Sequence, residues 1–241
     1  MNRYAGKKRA ARASTCTLKS AAQRSARKAA TSGAAVRRRA SAAPRQSRAA
    51  AAEKRPQSRV PTGAMLRKVA ALMLPFYAKI AANRTYAAAW ARAVREADLS
   101  AMEKLLRTVL PPRQPLAGLA TNGIGYFIDI PFPKPVYLYT NATSLRPGQV
   151  QFTFSASIHR QIAAAVLPFY RELAGNPRYA AQLAVAIRRG RRILAEKLVR
   201  SLVTTRRLKS VQLEWSGVLL GFQYPSSPYV YYNELFREYV K

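Results

Sequence analysis

Two stretches of the chain, residues 69–109 and 162–202, carry nearly the same sequence 93 positions apart. Between residues 67–107 and 160–200, 19 of 41 aligned positions are identical without a gap. A Leu-Pro-Phe-Tyr block begins at Leu74 and again at Leu167, and Asn83 falls on Asn176. Shared alanine richness does not explain these matches. Internal similarity of this kind predicts one structural unit that is used twice.

The first part of each unit is predicted to be helical. One helix carries the Leu-Pro-Phe-Tyr block, where the proline must kink the helix or sit in its first turn. Asn83 and Asn176 suit the N-cap of a second helix, which is expected to run to about residue 109 or residue 202. Apolar side chains at Val94, Met102 and Leu106 suit one buried face of that helix.

The second part of each unit is rich in β-branched and aromatic residues. "GIGYFIDIPFPKPVYLY" (123–139) and "GVLLGFQYPSSPYVYY" (217–232) each predict two short strands, or one strand and an edge strand. "GQVQFTFSAS" (148–157) alternates and predicts a further strand. The fold class predicted is α+β, with a disordered basic N-terminal tail and two tandem pseudo-equivalent αα-ββ repeats that form one body. Repeat 1 spans residues 61–157 and repeat 2 spans residues 158–241.

The first 60 residues differ from the rest in composition. They hold 17 Lys or Arg and one acid, Glu53, with almost no bulky apolar side chains. Such a segment cannot bury enough apolar surface to offset the entropy of ordering, and its charges repel one another. The sequence therefore predicts that residues 1–60 are disordered in isolation, with a boundary at about residues 59–63.

The net charge of the chain is +32, from 42 Lys plus Arg against 10 Asp plus Glu. This balance favours polyanionic partners, and arginine, which binds phosphate through two N–H groups, is the commoner base. A GC-rich genome would give the same excess of arginine.

Catalytic residues are hard to place in this sequence. Phosphate-binding glycine loops, nucleophile elbows and HExxH-type metal motifs are missing. One cysteine, Cys16, excludes an intrachain disulfide, and with His159 as the one histidine a zinc site is not expected. His159 is expected to cap or line a helix start. Asp129 is a lone carboxylate in a strand pattern. The expectation is a protein that is not an enzyme, with no catalytic residues, metal or cofactor.

The two copies diverge at one place in charge. "READL" (95–99) in the first is nearly neutral, whereas "RRGRR" (188–192) in the second carries four positive charges in five residues. We expect these arginines on an exposed helix, where Arg188 and Arg192 stand four apart and bind one phosphate strand. Neutral drift on an exposed face is the alternative explanation. The predicted nucleic-acid-binding residues are Lys7, Lys8, Arg9, Arg12, Arg37, Arg38, Arg39, Arg188, Arg189, Arg191, Arg192, Arg200, Arg206 and Arg207.

The leading functional hypothesis is a non-catalytic protein that binds and packages nucleic acid. In composition the tail resembles linker-histone and protamine tails ("KKRAARAS", "SARKAATS"). The expected partner is nucleic acid, DNA in preference to RNA, bound without sequence readout, with a homo-oligomer formed through the body. Tyrosines of the strands are expected either to pack in the core or, where exposed, to stack on bases. The expected location is a nucleus, nucleoid or virion.

Two alternatives stay open at this stage. One is a structural assembly component of a virion or coat, whose tail faces a packaged genome. The other is an organellar protein with a cleaved basic transit peptide. We expect no membrane span, because the apolar stretches near residues 69–77 and 162–170 are far shorter than the ~20 residues that cross a bilayer.

Overall fold

Helices and strands alternate in blocks of three within the described part of the chain. The computed structural model describes residues 61–148 and 150–236. Its helices are α1 (Gly63–Ala82), α2 (Arg84–Arg95), α3 (Leu99–Arg107), α4 (Ala156–Gly175), α5 (Pro177–Arg189) and α6 (Arg192–Arg200). Its strands are β1 (Gly118–Thr121), β2 (Gly125–Pro131), β3 (Leu138–Leu145), β4 (Leu208–Leu213), β5 (Val218–Gln223) and β6 (Val230–Phe236).

Side-chain caps define where the helices begin. The Thr62 side chain accepts a hydrogen bond from the backbone N–H of Met65, and Ser155 caps α4 in the same way. Asn83 ends α1 and caps α2, and Asn176 ends α4 and caps α5. Both asparagine caps agree with the sequence prediction, since a short polar side chain there satisfies backbone donors that the first turn leaves free.

The two long helices pack against each other at the centre of the helical layer. The Nε of Arg67 on α1 donates a hydrogen bond to the carbonyl of Ala174 at 3.1 Å. The Nε of Arg160 on α4 donates to the carbonyl of Ala81 at 3.3 Å. Each arginine therefore satisfies an unpaired carbonyl at the C-terminal end of the opposite helix.

The predicted long second helix is wrong in both halves, because it is broken into two. The α2 helix ends before Ala97, and the α5 helix ends at Gly190. Both residues have left-handed backbone, with φ of 53° at Ala97 and 63° at Gly190. A left-handed residue cannot continue a right-handed helix, so the chain turns and starts a third helix.

The six strands form one antiparallel sheet in the order β1-β2-β3-β6-β5-β4. The predicted strands are confirmed in part: β2 and β5 lie inside residues 123–139 and 217–232, whereas β3 and β6 begin near the ends of these segments and continue to Leu145 and Phe236. Strands β1 and β4 were not predicted, and they form the two edges of the sheet. The central pair, β3 and β6, joins the two halves, with Thr143 opposite Asn233.

The strand predicted for residues 148–157 is wrong. Residues 150–155 have no strand hydrogen bonding, and α4 begins at Ala156. Gly148 has φ of 83° and Phe152 has φ of 49°, so the backbone is not extended at either residue. The Ser155 cap then starts α4 at Ala156, inside the segment that was predicted to be a strand.

The core lies between the helices and one face of the sheet. Phe76 and Phe169, from the two Leu-Pro-Phe-Tyr blocks, are both fully buried there. Phe76 lies edge-on to Trp90, with ring centroids 4.7 Å apart. Pro75 and Pro168 are interior residues of α1 and α4, so neither lies in a first helical turn.

Candidate nucleic-acid interface

Residues 188–192, the basic turn, connect α5 to α6. Arg188 and Arg189 are the last residues of α5, Gly190 is its C-cap, Arg191 is the N-cap of α6 and Arg192 is its first residue. All four arginine side chains are exposed. The predicted exposure is confirmed. The predicted single helix is wrong, because the turn places Arg188 and Arg192 on different helices and four-residue helical spacing does not apply to them.

The counterpart of the basic turn is the first-half turn, residues 95–99. Its Arg95 is only partly exposed, and the guanidinium donates a hydrogen bond to the carbonyl of Phe154 at 2.8 Å. Ala97 takes the left-handed conformation that Gly190 takes in the basic turn. Gly190 is explained by this conformation, which costs glycine little and costs other residues roughly 1–2 kcal/mol.

Helix capping also differs between the two turns. The Asp98 carboxylate accepts a hydrogen bond from the backbone N–H of Ala101 at 2.9 Å and so caps α3. Arg191 occupies the N-cap of α6 and makes no side-chain cap hydrogen bond. Replacing such a cap costs about 0.5–2 kcal/mol, and cations near a helix N-terminus add an unfavourable ~0.3–1 kcal/mol. The basic turn therefore lowers the stability of the helix that it precedes.

The predicted binding residues after α6 behave differently from one another. Arg206 and Arg207 are exposed in the loop that leads to β4. Arg200 is held, because its guanidinium donates to the Glu196 carboxylate at 2.8 Å and to the carbonyl of Leu208 at 3.2 Å. Arg107 on α3 is held in the same way by Glu103 and by the carbonyl of Gln114. Arg200 therefore has a structural partner.

An exposed apolar side chain stands inside this basic surface. Ile193, the second residue of α6, is 74% exposed. With Leu194 and Lys197 it lines a surface cavity of about 650 Å³ beside the basic turn. The sequence analysis did not select Ile193. The signal was available, since Ile193 interrupts a run of charged residues at the position where the first half has Ser100.

The predicted tail residues lie outside the described part of the chain. These are Lys7, Lys8, Arg9, Arg12, Arg37, Arg38 and Arg39. The predicted disorder of residues 1–60 lies outside it as well.

A ring of four hydrogen bonds joins the two halves inside the core. The Tyr77 hydroxyl donates to Oδ1 of Asn141 at 2.8 Å, and Nδ2 of Asn141 donates to the Tyr170 hydroxyl at 2.6 Å. The Tyr170 hydroxyl donates to Oδ1 of Asn233 at 3.0 Å, and Nδ2 of Asn233 donates back to Tyr77 at 2.6 Å. All four residues are buried, so the ring satisfies polar groups that would otherwise be costly.

A polar branch extends from this ring on one side. The Tyr126 hydroxyl donates to Oγ1 of Thr143 at 3.1 Å, and it lies 3.0 Å from Nε2 of His159. His159 is completely buried in α4, as the prediction of a helix-lining residue requires. Among the described buried side-chain atoms, Nδ1 of His159 and Nε1 of Trp90 have no hydrogen-bond partner.

Burial controls the ionisation of this cluster. Burial lowers the pKa of His159 from its ordinary 6.5 to about 3, so the imidazole is neutral at physiological pH. Burial also raises the pKa of Tyr77, Tyr126 and Tyr170 above 10, which keeps their hydroxyls protonated. The cluster therefore contributes neutral hydrogen bonds that hold helices to the sheet.

The other groups considered from the sequence are placed as follows. Asp129 on β2 accepts a hydrogen bond from Thr140 at 2.6 Å. Tyr231 and Tyr232 are buried, so they present no face for stacking on bases. Within residues 61–148 and 150–236, no three His, Cys, Asp or Glu side chains cluster as a metal site requires. Over the same residues, no helix has both the length and the apolar content needed to cross a bilayer.

Comparison with known proteins gives no relative: no family model, no curated protein sequence and no solved structure matches the chain.

Proposed function

We propose that the chain is a non-catalytic protein that binds and packages nucleic acid, with two contact regions. One is the basic turn with the neighbouring Arg206 and Arg207. The other is the basic segment of residues 1–60, which holds 17 Lys or Arg. Both regions are positively charged and therefore complement the negatively charged phosphate backbone. Binding through phosphates needs no sequence readout.

The observation that carries this proposal is the unfavourable placement of Arg191 and Arg192 at the N-terminus of α6. The first-half turn shows that the same backbone accepts an acidic cap at Asp98. The second half has Arg191 there instead, without a cap hydrogen bond, and adds Arg192 beside it. Residues that lower local stability in this way are expected where function requires them. A surface kept only for solubility would gain nothing from losing the cap.

We further propose that the body consists of two tandem pseudo-equivalent units. Pairs of hydrogen bonds 93 residues apart support this. The Tyr86 hydroxyl donates to the carbonyl of Leu105, and the Tyr179 hydroxyl donates to that of Leu198. The reciprocal Arg67 and Arg160 contacts and the order of the sheet support it too. One unit alone would have a small core, and two units bury each other's apolar faces.

The test is to change the basic turn towards its counterpart while keeping Gly190. Arg189→Glu, Arg191→Asp and Arg192→Leu introduce the first-half residues at these positions. We expect this triple variant to bind duplex DNA more weakly and to lower the slope of log K against log salt by about 1 for each lost phosphate contact. Because the Arg191→Asp change restores a side-chain cap, the same variant is expected to be as stable as the parent or more stable.

A charge-matched control uses exposed residues of the first half. Arg84→Glu, Arg92→Asp and Lys104→Leu change the net charge by the same amount. If the control loses as much affinity as the triple variant, binding depends on net charge alone and the basic turn has no special part. Removing residues 1–60 is expected to flatten the salt dependence further, and an unchanged slope would exclude the tail as a contact.

A further inference from the structure

The helix that follows the basic turn has an exposed face along its whole length. Only Ala195 and Val199 of α6 are buried. Ile193 and Lys197, four residues apart, lie on the opposite side and are exposed, and Arg192 is exposed at the start of the helix. The corresponding helix of the first half, α3, presents Leu99, Ser100 and Lys104 at the aligned positions. The two helices therefore share a buried face, and their exposed faces differ most in the first turn.

Basic groups flank this exposed face at both ends. The basic turn precedes α6, and exposed Arg206, Arg207 and Lys209 follow it. The helix has nine residues, which corresponds to a length of about 13 Å. The major groove of B-form DNA is about 12 Å wide and admits an α-helix. With α6 in that groove, the basic groups at its two ends would lie near the phosphate backbones that border it.

The exposed isoleucine is better accommodated against base edges at the floor of a groove than in water. At 74% exposure, Ile193 is the most exposed large apolar side chain of the described residues. Base edges in the major groove include the thymine methyl group, which apolar side chains contact. Lys197, one turn further along the same face, is placed to reach a base edge or a phosphate.

From these features we infer that α6 lies in the major groove of B-form DNA, with Ile193 against the base edges and the basic groups on the flanking phosphates. This inference rests on the proposed function and adds the element that enters the nucleic acid. It also selects duplex DNA over duplex RNA, because the major groove of A-form RNA is deep and too narrow for a helix. The basic segment of residues 1–60 would add affinity without groove preference.

Dimethyl sulfate footprinting of the full chain on duplex DNA tests the inference, because this reagent methylates guanine N7 in the major groove and adenine N3 in the minor groove. We expect the parent protein to protect N7 positions. The variant Arg192→Leu with Ile193→Ser, which carries the α3 residues, is expected to lose that protection while the tail keeps most of the affinity. Lys197→Ala should reduce N7 protection, whereas its counterpart Lys104→Ala on α3 should leave the protection unchanged.

The outcomes separate the two levels of the proposal. If the full chain binds no duplex DNA at low salt, the proposed function fails. If the parent protein binds duplex DNA without protecting N7, only the groove assignment is overturned. The same holds if N7 protection persists in the Arg192→Leu, Ile193→Ser variant. An equal loss of affinity for duplex DNA and for duplex RNA in that variant would also overturn it. Sedimentation with anionic phosphatidylserine vesicles that depends on Ile193, without N7 protection, would assign the face to membranes and contradict the inference.

Discussion

The turn between α2 and α3 and the turn between α5 and α6 follow the same backbone course and carry opposite surfaces. Each contains one left-handed residue, Ala97 or Gly190, followed by the N-cap position of a short helix. In the first turn that N-cap is Asp98, which caps the helix, and in the second it is Arg191, which does not. The comparison teaches that the same backbone turn forms with either surface charge, and that only the acidic turn also caps the helix that follows it.

The interior is more alike, because several aligned positions carry the same buried side chain. The aligned pairs include Phe76 with Phe169 and Tyr77 with Tyr170. A polar difference is His159, which is completely buried where the first half has Leu66, also completely buried. The polar branch through Tyr126 therefore has no counterpart around Leu66 at that aligned position.

The largest effect is expected from removing the buried phenylalanines. Phe76→Ala and Phe169→Ala should each lower the free energy of unfolding by about 3–5 kcal/mol, since both rings are fully buried. Phe76 lies within a larger group of rings, including Trp90 and Tyr126, so its loss is expected to cost at least as much as that of Phe169. Chemical denaturation measures both. A cost below about 1 kcal/mol for either variant would show that its core position is not equivalent.

The second effect concerns pH and the polar difference at His159. Its pKa is about 3 in the folded state and about 6.5 when unfolded, so the unfolded chain binds the extra proton. This contribution to stability is complete above pH 6.5 and is lost as the pH falls towards 3. Between pH 6.5 and pH 5 we expect a loss of roughly 1.5–2 kcal/mol, measured by denaturation at each pH.

The matched variant is His159→Leu, which copies Leu66. Because the chain has one histidine, the loss of stability between pH 6.5 and pH 5 should disappear in this variant. Burial raises the pKa of Glu234, so just above pH 4.5 its carboxyl is protonated to a greater extent in the folded state than in the unfolded state. This difference increases stability as the pH falls, which is opposite to the effect of His159. If the pH dependence of His159→Leu equals that of the parent, the buried histidine does not control it.

The third effect tests the symmetry of the buried ring. Tyr77→Phe leaves Oδ1 of Asn141 without the tyrosine donor, and Tyr170→Phe leaves Oδ1 of Asn233 without one. Each variant should cost about 1–3 kcal/mol, which is typical of a buried polar group that has lost its partner. The double variant should cost less than the sum of the two, because both hydroxyls belong to one network. Strict additivity would show that the ring does not act as a unit.

The smallest effect tests the two turns directly. Gly190→Ala should destabilise the protein by about 1–2 kcal/mol, because alanine is strained at φ of 63°. Ala97→Gly relieves the same strain in the first turn and should stabilise by about 0.5 kcal/mol, after the entropy that glycine adds to the unfolded chain. Thermal unfolding of the two variants checks the opposite signs. A change of the same sign in both would mean that the turns are not equivalent.

The sequence predicted the α+β class, the asparagine caps and four strands, because these depend on local patterns. It did not predict the break at Ala97, because alanine is a helix-forming residue and gives no sequence signal for a left-handed backbone. Gly190 was a usable C-cap signal, yet a basic run on both sides favoured a continuous helix. The strand predicted over residues 148–157 alternated correctly, but the Ser155 cap starts a helix within it.

The buried network was beyond local patterns because its members are far apart in the chain. Asn141 and Asn233 are 92 residues apart and meet only after β3 and β6 pair at the centre of the sheet. One indication was present, since asparagine is depleted in strands and Asn233 interrupts an apolar segment. For the basic turn, composition predicted exposure, and only the folded chain showed which helix ends the arginines occupy.

The ring of Tyr77, Asn141, Tyr170 and Asn233 has a consequence for how the chain can be divided. Each half supplies one tyrosine–asparagine pair, and the two bonds donated by the asparagine amides cross from one half to the other. A cut near residue 149 would therefore produce two fragments whose inward polar groups are complementary to each other and to little else. The ring would then favour association of the two fragments with each other in the native orientation, as reassembly of a split protein requires.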